Sequence, residues 1–116
     1  MPSRSRGSSS KATAAGAALL LAVGAAAGDL SVARAAERTV VMDGVKFEPA
    51  TITVERGDSV RWVNKDPFPH TATSRGAFDS KEIAAGKSWK WTARKPGVYD
   101  YVCTLHPTMK GTVTVR

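Results

Sequence analysis

From Thr39 onward the chain is written in short runs that alternate between apolar and polar residues. Thr51-Ile52-Thr53-Val54 sets two threonines against two aliphatics. Ser59 to Asn64 sets Val60 and Trp62 against their neighbours, and Ser88 to Thr92 sets Trp89 and Trp91 against Ser88, Lys90 and Thr92. Val98 to Cys103 sets Tyr99, Tyr101 and Cys103 against Val98, Asp100 and Val102. Successive side chains of a strand point to opposite faces, so a period of two predicts half-buried strands. Thr39 to Met42, His70 to Ser74 and Gly111 to Arg116, with Val113 and Val115 inward, bring the set to about seven. Asp43-Gly44, Arg56-Gly57-Asp58 and Lys65-Asp66-Pro67-Phe68-Pro69 separate them as turns or loops. Regular short strands with Gly and Pro between them predict an all-β sandwich or barrel. No stretch after position 38 keeps a helical period, and Asp79 to Ala85 has room for one helical turn. Trp62, Trp89 and Trp91 are expected to dominate the core, because aromatics bury the most area per residue.

The first 35 residues read differently. Arg4, Arg6 and Lys11 precede an uncharged Ala/Leu/Gly run from Ala12 to Gly28, and Ala33-Arg34-Ala35 is a small-x-small cleavage site. This predicts a cleavable export signal over residues 1–35 and a single domain over 36–116. A spanning helix needs about 20 apolar residues, more than this run supplies, so no stable membrane anchor is expected after cleavage. The absence of an Arg-Arg pair favours ordinary secretion over twin-arginine export. The expected location is periplasmic or secreted. The formal charge of +7 is partly leader: 4 of the 17 basic and 1 of the 10 acidic residues lie in 1–36, leaving +4 on the rest. The remaining basic groups are scattered without a block or interleaved aromatics, which excludes a nucleic-acid footprint. A mild positive field suits an acidic redox partner instead. No second apolar stripe is evident, so a monomer is expected.

A domain of roughly 80 residues buries a limited core and is often stapled. One cysteine cannot form an internal disulfide, so an unpaired thiol in an exported chain asks for another explanation. Its neighbours give one. Cys103, His106 and Met109 fall within seven residues, and the one other histidine, His70, lies 33 positions upstream. A thiolate, two imidazoles and a thioether form the ligand set of a blue-copper centre. Cu(II) prefers nitrogen and oxygen donors while Cu(I) prefers soft ones, and this set serves both. Zinc is poorly matched by one Cys, two His and a thioether. A Cys–His hydrolase would need an oxyanion hole, and nothing around Cys103 builds one. Cys103 is expected at a strand end, with His106 and Met109 in the turn that Gly111 closes. His70 is expected on a separate loop, placed by Pro69.

With these residues in view, the chain resembles the cupredoxins, specifically the amicyanin-like and plastocyanin-like group. Phe47-Glu48-Pro49, Ile52-Thr53-Val54, Gly57-Asp58, Val60 to Asn64, Pro69-His70, Pro96 to Tyr101 and the Cys-x-x-His-x-x-Met loop carry the resemblance. It implies a Greek-key β-sandwich holding one type 1 copper through His70, Cys103, His106 and Met109. It implies a non-enzymatic one-electron shuttle between redox proteins, a c-type cytochrome or a periplasmic dehydrogenase. It also implies that electrons leave at His106 through an apolar collar of Phe68, Pro69, Leu105 and Pro107, with Thr71 and Thr104 supporting the ligands. Leu105 stands where such loops carry proline, so its N–H is expected to reach the Cys103 sulfur. The alternative function is a periplasmic copper carrier or storage protein.

Overall fold

The computed structural model describes residues 34–116, so the export signal expected over residues 1–35 lies almost wholly outside the described residues. Nine strands form two sheets. They are β1 (Glu37–Met42), β2 (Phe47–Glu48), β3 (Thr51–Val54), β4 (Ser59–Asn64), β5 (Thr73–Ser74), β6 (Phe78–Asp79), β7 (Ser88–Thr92), β8 (Gly97–Cys103) and β9 (His106–Val115). One sheet runs β2-β1-β4-β7 and the other β3-β9-β8-β5-β6. The β1–β4 and β3–β9 pairs are parallel. Residues paired across each parallel pair, such as Glu37 with Ser59 and Thr51 with Thr112, therefore come from distant parts of the sequence, because parallel strands need a crossover connection.

The alternation does what its period demands. Val40 and Met42 of β1 and Val60 and Trp62 of β4 point inward, as do Ile52, Val54, Tyr101, Val113 and Val115 from the other sheet. Trp62 is wholly buried and touches both layers, with ring centroids 5.3 Å from Phe78 and 5.3 Å from Tyr101. Trp89 and Trp91 are only half-buried, contrary to expectation. They sit on β7, the edge of its sheet, where one flank is left to solvent.

Three of the strands are two residues long, too short for a period to register in sequence. The run expected as a strand from His70 to Ser74 contracts to β5, with His70 held apart in a bridge to Ile83. The one helical turn for which Asp79 to Ala85 has room does not form, and there is no helix among the described residues. Its backbone is committed elsewhere: Ser80 N–H donates to Ala72 O at 3.0 Å, and Ile83 N–H to His70 O at 2.7 Å. The turn after Cys103 is also tighter than expected. Only Thr104 and Leu105 form it, Cys103 pairs with His106, and β9 starts at His106 rather than Gly111. A register shift between Val102 and Cys103 absorbs the change in direction.

Gly111 opposes Tyr101 across β8 and β9. A Cβ at 111 would fall 2.5 Å from the Tyr101 ring. That ring is itself enclosed, and burial pushes its phenol up to about 12, so it brings no charge towards Cys103. Gly111→Ala is therefore expected to cost about 1–3 kcal/mol by overpacking, read as a lowered denaturation midpoint with an unchanged m-value.

Candidate metal centre

Four local features bring the donors together at one end of the sandwich. β8 ends at Cys103, whose side chain is fully buried on the same face as Tyr101. The two-residue turn returns the chain at once, so His106 lies directly across from Cys103. Met109 follows on the inward face of β9, with Val113 and Val115, and is 2% exposed. His70 arrives from the β4–β5 connection and is fully buried.

Cys103 Sγ lies 3.6 Å from His70 Nδ1 and 3.7 Å from His106 Nδ1. The three side chains offer one donor atom each, all within 4.8 Å of one another. With metal–sulfur and metal–nitrogen bonds of about 2.3 and 2.0 Å, a 120° angle at a shared ion separates S from N by ~3.7 Å. Both sulfur–nitrogen distances match that separation, and the buried thioether of Met109 is the soft fourth donor that copper tolerates and zinc seldom takes. The residues therefore fit a type 1 copper.

The sulfur receives one backbone hydrogen bond, from Thr71 N–H at 3.3 Å. Among the described residues no such bond comes from Leu105, contrary to expectation. Thr71 and Thr104 are coupled instead: Thr104 N–H donates to Thr71 Oγ1 at 2.9 Å, and their hydroxyls lie 3.1 Å apart. The pair ties the ligand hairpin to the residue beside His70. Of the residues expected to line an exit, His106 itself is half-buried. Phe68 is 38% and Leu105 44% exposed, Pro69 and Pro107 are exposed, and the Phe68 and His106 rings lie 5.6 Å apart.

Two residues of this region escaped sequence reasoning. Asn64, buried at the end of β4, donates from its side-chain amide to Phe68 O at 2.8 Å and Ile83 O at 2.9 Å, and accepts from Asp66 N–H at 2.9 Å. It clamps the whole loop that delivers His70. Asp66, also buried, places Oδ2 2.7 Å from His70 Nε2. A carboxylate at that distance is the acceptor for a proton on Nε2, on the ring edge away from the sulfur. Burial pushes the Asp66 carboxyl up, but hydrogen bonds from His70, Val45 and Gly44 together hold it below its ordinary range. The one available signal was a carboxylate four residues before a candidate ligand, and such spacing is common by chance outside helices.

Comparison with known proteins agrees with this geometry. The sequence pattern of the family described as Cupredoxin-like domain matches residues 11–115. Amicyanin of Paracoccus denitrificans is 33% identical over 98 residues, covering 74% of this chain and 72% of that protein. A copper(I) form of an amicyanin mutant superposes with a TM-score of 0.66 at 30% identity, covering 74% of this chain and 87% of the other. A copper-containing nitrite reductase from Thermus scotoductus SA-01 superposes with a TM-score of 0.65 at 31% identity over 69% of this chain, which spans 22% of that longer protein. Two sheets in this order, a Cys–His hairpin closing on a distant histidine and a pattern match over almost the whole sequence lead to one conclusion: the chain belongs to the cupredoxin-like family.

Proposed function

We propose that this protein is a blue-copper electron carrier that shuttles single electrons between redox proteins outside the cytoplasm. One observation carries the reading: an imidazole nitrogen of His70 and one of His106 lie 3.6 and 3.7 Å from the Cys103 sulfur, close to the exposed Phe68 ring. His70, Cys103, His106 and Met109 would hold the copper, which supplies one-electron exchange between its two valences when bound. Burial of His70, Cys103 and Met109 keeps water from the donors and restricts their movement. His106 alone approaches the surface. Phe68 and Leu105 beside it offer a partner a contact that excludes water and shortens the path. A c-type cytochrome or an exported dehydrogenase suits that role.

Export is part of the same reading, with cleavage after Ala35. Ala36 N already lies 2.8 Å from Asp58 Oδ1, so a freed terminal ammonium would meet a carboxylate in place. No helix among the described residues is long and apolar enough to cross a membrane.

The test is stopped-flow oxidation of the copper(I)-loaded protein by a c-type ferricytochrome. The expected result is second-order transfer at about 10⁵–10⁷ M⁻¹s⁻¹, slowed several-fold by Leu105→Glu at constant reduction potential. Recovered exported protein should begin at Ala36 on N-terminal sequencing. Loss of copper to a chelator without any cytochrome reduction would favour a metal carrier instead.

A further inference from the structure

Asp66 is fixed from every side that the fold can reach. Its Oδ1 accepts the Gly44 N–H at 2.8 Å, and its Oδ2 accepts the Val45 N–H at 2.9 Å as well as facing His70 Nε2 at 2.7 Å. Its own N–H is held by Asn64 Oδ1. The carboxylate is 6% exposed and the imidazole not at all. Val45 is a β-branched residue at φ +60°, a conformation that costs free energy and persists only where its surroundings impose it. Here it aims a backbone N–H at Asp66. The turn between β1 and β2 is thus spent on holding one carboxylate against one histidine.

We infer that Asp66 is a positioning residue that fixes the tautomer and donor strength of His70 and biases the centre towards its oxidised state. The inference rests on the copper reading above and deepens it. A carboxylate on the far nitrogen of an imidazole locks the ring, keeps the proton on that nitrogen and makes the other nitrogen a stronger donor. A fixed buried negative charge beside a ligand also favours the more positive of two metal valences. His106 has no such carboxylate among the described residues, so the two imidazoles are unequal: His70 is the fixed, electron-rich donor, and His106 the exposed one.

The molecule supplies its own control. Asp58 does the same structural work, accepting the Ala36 N–H at 2.8 Å and the Glu55 N–H at 2.9 Å, but faces no histidine. Both Asp66→Asn and Asp58→Asn remove a charge that caps backbone amides. Voltammetry of the copper-loaded variants, with competition titration of each valence, should separate the two roles. Asp66→Asn is expected to lower Cu(II) affinity about 10- to 100-fold and to lower Cu(I) affinity about tenfold less, raising the potential by ~59 mV per tenfold difference. Asp58→Asn is expected to lose stability with the potential unchanged. Equal potentials for parent and Asp66→Asn, or equal shifts for both variants, would overturn the inference.

A second readout needs neither copper nor a variant. Nitrogen NMR shifts of the His70 ring in the metal-free parent protein should report a proton on Nε2. A proton on Nδ1 would defeat the inference even if Asp66→Asn does not fold. Failure of the parent to take up copper would instead strike the electron-carrier reading, and the ring shifts would still decide the part played by Asp66.

Discussion

Cys103→Ser is expected to abolish the intense visible absorption of the copper-loaded protein and to weaken copper binding more than about 100-fold. Charge transfer from a thiolate gives such centres their colour, and a hydroxyl has no equivalent. The affinity figure follows because changes to outer partners alone reach about 100-fold, and Cys103 is the sole soft anion among the donors. The fold should survive. Cys103 is wholly buried, but serine is smaller and its oxygen can accept the Thr71 N–H that the sulfur now takes. Titration of the variant with Cu(II) against a competing chelator, alongside its denaturation curve, separates loss of the site from loss of structure. A variant as strongly coloured and as tight-binding as the parent would end the copper assignment.

Trp62→Ala is expected to cost about 3–5 kcal/mol and to lower the midpoint of thermal unfolding by roughly 20 °C. The side chain is fully enclosed and bridges the layers through Phe78, Trp89 and Tyr101. The surrounding β-sheet cannot collapse into so large a void. A domain of this size has a total stability of about 4–12 kcal/mol, so the metal-free variant should be near its unfolding limit at 25 °C. Copper binding to the folded form alone should restore part of the loss by mass action. Trp91→Ala gives the contrast, because its ring stands half in solvent on an edge strand. It should cost less than half as much. Equal losses at the two positions, measured by calorimetry on metal-free protein, would mean that the two layers are not joined through Trp62.

The long strands were legible because their periodicity and their burial have the same cause. Ile52 and Val54, Val60 and Trp62, and Val113 and Val115 face inward as their alternation requires. The donor set was legible for a different reason. With one cysteine and two histidines in the chain, chemistry alone restricted the choice. What stayed hidden depended on neighbours distant in sequence. Phe78-Asp79 and Phe47-Glu48 become strands only because a partner strand is there to pair with. Ser80 to Ile83 gives up a helical turn because Ala72 and His70 claim its backbone groups. Asp66 reads as an exposed loop carboxylate between Lys65 and Pro67, and only the return of Gly44 and Val45 makes it part of the site. Trp89 and Trp91 were overvalued as core because sequence does not tell which strand lies at an edge.

His70 reaches its place from the connection that crosses from β4 in one sheet to β5 in the other, whereas Cys103 and His106 stand together on the β8–β9 hairpin. The colour of the loaded protein would accordingly act as an optical gauge of chain closure. Any loosening of that connection from the hairpin would bleach the solution before the hairpin itself came undone, and the hue could be followed by eye during refolding.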